Sequence, residues 1–260
     1  MILGLVAAYR YAILTSGLPI IQASALSFSD LIFLALVIAF FIVITRFKRI
    51  GRIIFWIFLS LVILSGSQIV LNIWLSSPWD IVGSLIVVVA FIAWHNVLIH
   101  DIGITLALAG IGANLGLSIT PTLAIIGLLV LSFYDIIAVY KTRHMVKMAE
   151  GMIQSGAIFG FIIPSDFKLF FTNRSQAQAQ LGEQFMILGS GDIALPIIFA
   201  SSLMRQSLGE AIMVAVFAVL GIFLTHLLFV NQPKRQAMAA LPPIATMCLV
   251  GYIVALLFGI

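Results

Sequence analysis

Leu188-Gly189-Ser190-Gly191-Asp192-Ile193-Ala194-Leu195-Pro196 sets one carboxylate inside a run that otherwise reads as membrane-spanning. A charged group is costly in hydrocarbon, so an acid at that depth marks a functional site when a partner can be named. The partner is Asp135, in Ser132-Phe133-Tyr134-Asp135 of the preceding long apolar run. The chain has nine Asp and Glu residues, and only these two fall inside spans. Asp30, Asp80, Asp101, Glu150, Asp166, Glu183 and Glu210 read as segment ends or loops that water solvates.

The surroundings of Asp192 are those of a membrane. Of 260 residues, 63% are hydrophobic and 8% are charged, and the mean hydropathy is +1.24. A soluble domain carries about 25% charged residues, so this composition cannot supply a water-facing surface. The apolar runs suit helices of about 20 residues and lack the period-2 alternation of a barrel. The fold class expected is an all-α polytopic bundle. One cysteine, Cys248, excludes an internal disulfide and a cysteine-based metal site. The net charge of +4 sits in short loops, where topology and lipid headgroups account for it, and no nucleic-acid partner is implied.

Met1 to Ile21 reads as a first span and not a cleavable signal, because Arg10 lies within its apolar core instead of ahead of it. Eight further runs follow: Leu31–Thr45, Ile53–Leu75, Ile81–Ile99, Ile102–Ile119, Leu123–Tyr140, Phe185–Leu203, Ala211–Val230 and Ala239–Ile260. Nine spans is the count, with eight or ten also compatible. The whole chain, 1–260, is expected to be one transmembrane domain. Six spans run to about residue 140, a cytoplasmic connection covers 141–183, and three spans occupy 184–260. Arg46, Lys48, Arg49, Arg52, Lys141, Arg143, Lys147, Lys168, Arg174, Lys234 and Arg235 then share one side of the membrane. The positive-inside rule makes that side cytoplasmic, with the N-terminus inside the cell and the C-terminus outside.

Within the connection, Gly151–Pro164 is apolar but too short to span, and it lies at the interface or forms a strand. Ser175–Gln180 is polar, uncharged and repetitive, which suggests a flexible linker. Gly112 and Gly116 have the small-xxx-small spacing of a helix contact.

By helical rise, Asp135 lies about 9 Å from the cytoplasmic end of its span and Asp192 about 13 Å from the same face. Two carboxylates facing each other at one depth do not easily both ionise. Such a pair suits acid/base work, in which one carboxylate activates water and the other, protonated, polarises a carbonyl. Gly189 and Gly191 leave room beside Asp192 for the close approach of another helix or of a substrate backbone. Pro196 has no N–H to bond the Asp192 carbonyl, so a kink is expected there. On these grounds alone a hydrolase, a proton-coupled transporter or channel, and a structural polar contact all remain open. His95, His100, His144 and His226 lie on different segments without an HExxH motif, which argues against a zinc protease.

Tyr134-Asp135, Gly189-Ser190-Gly191-Asp192 and Ala240-Leu241-Pro242, in that order, resemble the YD, GxGD and PAL motifs of presenilins and signal peptide peptidases. Ala239 stands where the third motif's leading proline is expected. The compact length suggests a prokaryotic, archaeal homologue. The resemblance implies an intramembrane aspartyl endopeptidase acting on transmembrane-helix proteins or peptides in the lipid bilayer of the cell membrane. It implies Asp135 and Asp192 as the catalytic pair. Tyr134, Gly189, Gly191, Ala240, Leu241 and Pro242 would shape the site. No metal or organic cofactor is implied, and a homo-oligomer is compatible with it. Pro196 four residues after the acid is closer to the signal peptide peptidase branch, whereas the loop charges favour the presenilin orientation.

Overall fold

The computed structural model describes residues 1–14, 48–142, 158–179, 184–232 and 238–259. The expected span Leu31–Thr45, the end of the first span, and residues 151–157 of the apolar connection lie outside them. Nine α-helices occur among the described residues. They are α1 (Ile2–Leu14), α2 (Lys48–Leu71), α3 (Trp79–Ala93), α4 (Val97–Ser118), α5 (Pro121–Ile136), the short α6 (Arg174–Ala179), α7 (Ser190–Leu203), α8 (Leu208–Val230) and α9 (Leu241–Phe258). Ile53–Leu71, Val97–Ser118, Pro121–Lys141, Leu208–Val230 and Leu241–Phe258 are long and apolar enough to cross a membrane. Ile2–Leu14, Trp79–Ala93 and Ser190–Leu203 are shorter apolar helices. The protein is an all-α polytopic membrane protein, as its composition requires.

Local chemistry sets the helix starts. Thr120 caps α5 by accepting from Leu123 N at 3.4 Å, and Pro121 occupies the first turn, where a missing N–H is harmless. Ser207 caps α8 by accepting from Glu210 N at 3.2 Å. Gly259, left-handed at φ 65°, ends α9. The bundle centres on α4, which packs against α1, α2 and α7. Close approach is possible because the facing residues are small. A Cβ on Gly112 would lie 2.8 Å from Ile197 Cγ2, and one on Gly116 would lie 2.5 Å from the Ile198 carbonyl oxygen. The small-xxx-small spacing is therefore the seam between α4 and α7. Outward faces stay apolar, with Ile86, Val130 and Phe223 more than half exposed, which suits lipid and not water.

Four expectations are corrected. The run Phe185–Leu203 is not one helix, because Phe185–Gly189 forms strand β2 and the helix starts at Ser190. Short apolar runs read equally well as strand or helix, and here pairing with β1 (Gly160–Pro164) decides it. The span expected at Ile81–Ile99 ends at Ala93, and the next helix begins at Val97, not Ile102. Trp94 is extended and breaks the apolar run. Arg174–Ala179 is a short helix, with Ala177 fully buried, and not a flexible linker. Finally, Asp80 and Asp101 are not solvated segment ends. Asp80 is 3% exposed and accepts from Asn72 Nδ2 at 3.0 Å, while Asp101 lies within α4 and accepts from Ile162 N at 3.0 Å.

The sheet is antiparallel, with Gly160 opposite Gly189 and Pro164 opposite Phe185. Ser190 N to Phe159 O (3.3 Å) and Ser165 N to Gln184 O (2.8 Å) continue the ladder at both ends. Antiparallel pairs alternate, so Phe161–Leu188 and Ile163–Met186 are the bonded pairs. The backbone groups of Gly160, Ile162, Phe185, Ile187 and Gly189 then point away from the partner strand. Pro164 falls at an outward position too, where it removes no ladder bond.

Candidate active site

Helix α5 buries Ala124, Leu128, Ser132 and Asp135, a stripe at helical period that carries the carboxyl inward at its end. Asp135 is 6% exposed. A π turn, Ile137–Lys141, follows at once. Asp192 is the third residue of α7, directly after β2, in the first turn where an anion is favoured by the helix dipole. α5 packs against α7, and the two carboxyls are near enough for their charges to interact.

The start of α9 completes the site. The last residue before that helix and its first three are Ala240, Leu241, Pro242 and Pro243, and the two prolines have no N–H. Of the four donors that a helix start leaves unpaired, only those of Ala240 and Leu241 remain. Both face Asp135, and Leu241 N donates to its Oδ2 at 3.2 Å. The polar N-terminus of α9 is thereby satisfied by the carboxyl.

Near Asp192, the Gly189 N–H lies against the carboxyl, and a Cβ on Gly189 would sit 3.0 Å from Asp192 Oδ2. A Cβ on Gly191 would meet nothing within 4 Å, and this residue is exposed. The first glycine gives the carboxyl its place; the second leaves an opening beside it. Pro196 is buried within α7, so the Asp192 carbonyl lacks the donor that an ordinary residue four positions on would supply. Tyr134 is 51% exposed, and no described contact joins its ring to either carboxyl. The structure thus gathers Asp135, Asp192, Gly189, Ala240 and Leu241, places Pro242 one residue behind them, and leaves the Tyr134 side chain outside.

No three His, Cys, Asp or Glu side chains gather as a metal site among the described residues. An apolar cavity of about 410 Å³ lies on another face of α7, lined by Thr105, Phe161, Ile193, Ile197 and Ile222, and no carboxyl borders it. Sequence reading missed His100 and Asp101, which bond β1, and Arg174, which lies against His100. Arg174 counted there as a loop charge, yet it is 5% exposed. Burial brings its guanidinium down to about 10, so it is still charged at neutral pH.

The class that the fold defines is a polytopic helical membrane protein, with two carboxyls within charge-interaction range at the ends of two of its helices. Residues 20–260 match the family model described as signal-peptide peptidase, presenilin aspartyl protease, and the chain belongs to that family. Two solved structures of a presenilin family intramembrane aspartate protease have a similar fold. The one in space group C222 is 21% identical with a TM-score of 0.61, over 97% of this chain and 92% of that one. The one in P2 is 21% identical with a TM-score of 0.63, over 99% of this chain and 94% of that one. A search of curated proteins finds no match.

Proposed function

We propose that this membrane protein hydrolyses peptide bonds within transmembrane segments, with Asp135 and Asp192 acting as one acid/base unit on water. The observation that carries the reading is the packing of α5 against α7, which places the two carboxyls within charge-interaction range, with the α9 amides on Asp135. One carboxylate takes a proton from water as it attacks the scissile carbonyl, and the other, protonated, donates to the carbonyl oxygen. Titration then belongs to the pair and not to either residue. Family membership does not favour a proton-coupled transporter using the same acids. Cleavage separates the two readings, because a protease releases fragments from a single-span peptide in detergent, where no gradient exists.

A helical substrate hides its scissile amide in backbone hydrogen bonds, so it unwinds before water attacks. The unwound segment needs a strand to pair with. Within Gly151–Pro164, β1 has its inner edge on β2 and its outer edge on α4, so it is already occupied. The outward groups of Phe185 and Ile187 bond no described residue, which favours substrate addition to β2, immediately ahead of Asp192. Ile187→Pro removes one outward N–H without touching a ladder bond, so kcat/KM should fall roughly 3- to 10-fold, the worth of one hydrogen bond. Unchanged peptide kinetics would exclude this edge.

The orientation follows from loop charge: the N-terminus is in the cytoplasm and the C-terminus outside. A C-terminal tag should then be removed from intact cells by added protease, and a tag that survives until lysis reverses the topology.

A further inference from the structure

An isolated two-stranded hairpin is marginal in water, yet β2 ends three residues before Asp192 and must enter α7 at a set angle. What holds this strand pair is the N-terminal part of α4. His100 Nε2 lies 3.0 Å from Gly160 O, and Asp101 Oδ1 accepts from Ile162 N at 3.0 Å. These are the outward groups of β1, left over by its pairing with β2.

Since Nε2 faces a carbonyl, it carries the proton, which leaves Nδ1 as an acceptor. Nδ1 meets Arg174 Nη1 at 3.4 Å. Arg174 Nη2 donates to Phe91 O at 3.1 Å, and the guanidinium stacks 4.7 Å from the Phe91 ring centroid and 5.2 Å from that of Trp56. Backbone bonds place this arginine: Val97 N to Thr172 O at 3.1 Å and Arg174 N to His95 O at 2.7 Å. His100 is 1% exposed, and among the described residues no carboxylate pairs with Arg174. The buried cation is held instead by the histidine, a carbonyl at the C-terminal end of α3 and two aromatic faces.

The same helix α4 grips α7 through Gly112 and Gly116. Helix α4 therefore references both sides of Asp192, the strand before it through His100 and Asp101, and the helix after it through its glycines. We propose that His100, Asp101 and Arg174 are positioning residues of the aspartyl site, which set the entry of β2 into α7 and so the place of the Asp192 carboxyl. The inference rests on the reading of Asp192 as catalytic.

The test compares His100→Leu, which fills the site without hydrogen bonds, with His100→Gln, which can donate to Gly160 and accept from Arg174. The full chain is used in detergent micelles, with two readouts: kcat and KM on a single-span peptide, and hydrogen–deuterium exchange over residues 160–164 and 185–192. In His100→Leu, kcat should fall about tenfold with KM nearly unchanged, and exchange over 185–192 should rise about tenfold, as expected for loss of bonds to a buried network. Exchange in α8 and α9 should stay at the wild-type rate, and His100→Gln should restore both readouts. Where the leucine variant does not fold, Arg174→Lys takes its place, since an ammonium cannot span Phe91 O and His100 as the guanidinium does. Unchanged exchange over 185–192, equal loosening of α8 and α9, or no restoration by glutamine each overturns the proposal. The exchange readout needs no turnover. A wild type that fails to cut counts against the protease reading alone, and the exchange readout still decides the anchor.

Discussion

Asp135→Asn and Asp192→Asn are each expected to silence cleavage of a single-span peptide in detergent and to leave the bundle folded. The substitution is nearly isosteric, so the packing of α5 against α7 is kept. The amide oxygen at position 135 can still accept from Leu241 N, the bond now made at 3.2 Å. What disappears is the proton chemistry, because an amide neither takes a proton from water nor gives one to a carbonyl. Acid/base groups contribute about 10²- to 10⁴-fold, and the pair acts as a unit, so each single variant should lose most of the rate. Removing one of two neighbouring acids also lessens like-charge repulsion, so thermal unfolding in detergent should not move down. A folded single variant that still cuts at the wild-type rate would end the two-aspartate mechanism. If the wild type itself releases no fragments from several single-span peptides, ion flux in vesicles becomes the decisive assay.

Gly116→Ala is expected to damage both stability and activity, although it adds one methyl group. That methyl would sit 2.5 Å from both the Ile198 carbonyl oxygen and Ser201 Cβ of α7. A backbone carbonyl cannot rotate aside as a side chain can, so the helices must separate. Overpacking of this kind costs about 1–3 kcal/mol, which should appear as a lower unfolding temperature. Because α7 carries Asp192 in its first turn, the same shift should lower kcat by about tenfold or more. Gly127→Ala is the control: a Cβ there meets nothing within 4 Å. Alanine's helix preference over glycine, up to about 1 kcal/mol, should leave that variant unchanged or slightly more stable. If the two variants behave alike, the close α4–α7 seam is not what holds the helix that carries Asp192.

Much of the site was legible because its residues violate their surroundings. An acid within an apolar run needs a reason, and Asp135 and Asp192 were the two that stood out. The prolines after Leu241 were visible as well, though that they leave the Ala240 and Leu241 amides to face Asp135 was not. Strand β2 was misread because Phe185–Leu188 is apolar in either conformation, and only pairing with Gly160–Pro164 selects the strand. Asp101 was misplaced because Trp94 ends the preceding helix early, which moves the start of α4 back to Val97 and draws Asp101 inside it. Arg174 looked like one more loop charge, since nothing in its neighbours announces two aromatic faces and a histidine from other helices.

By itself, the sequence determined that this is a helical membrane protein, because hydrocarbon penalises charge wherever it occurs along the chain, and it passed over the buried Asp80 and the half-buried Asp101 while singling out Asp135 and Asp192. Only the tertiary structure decided how those carboxyls are held: Asp135 by the amides of α9, and Asp192 at a strand–helix junction that α4 clasps from both sides. Those contacts join segments some 60 to 106 residues apart. Local periodicity reports which face of an element is apolar, and it carries no information about which distant element comes to lie against that face.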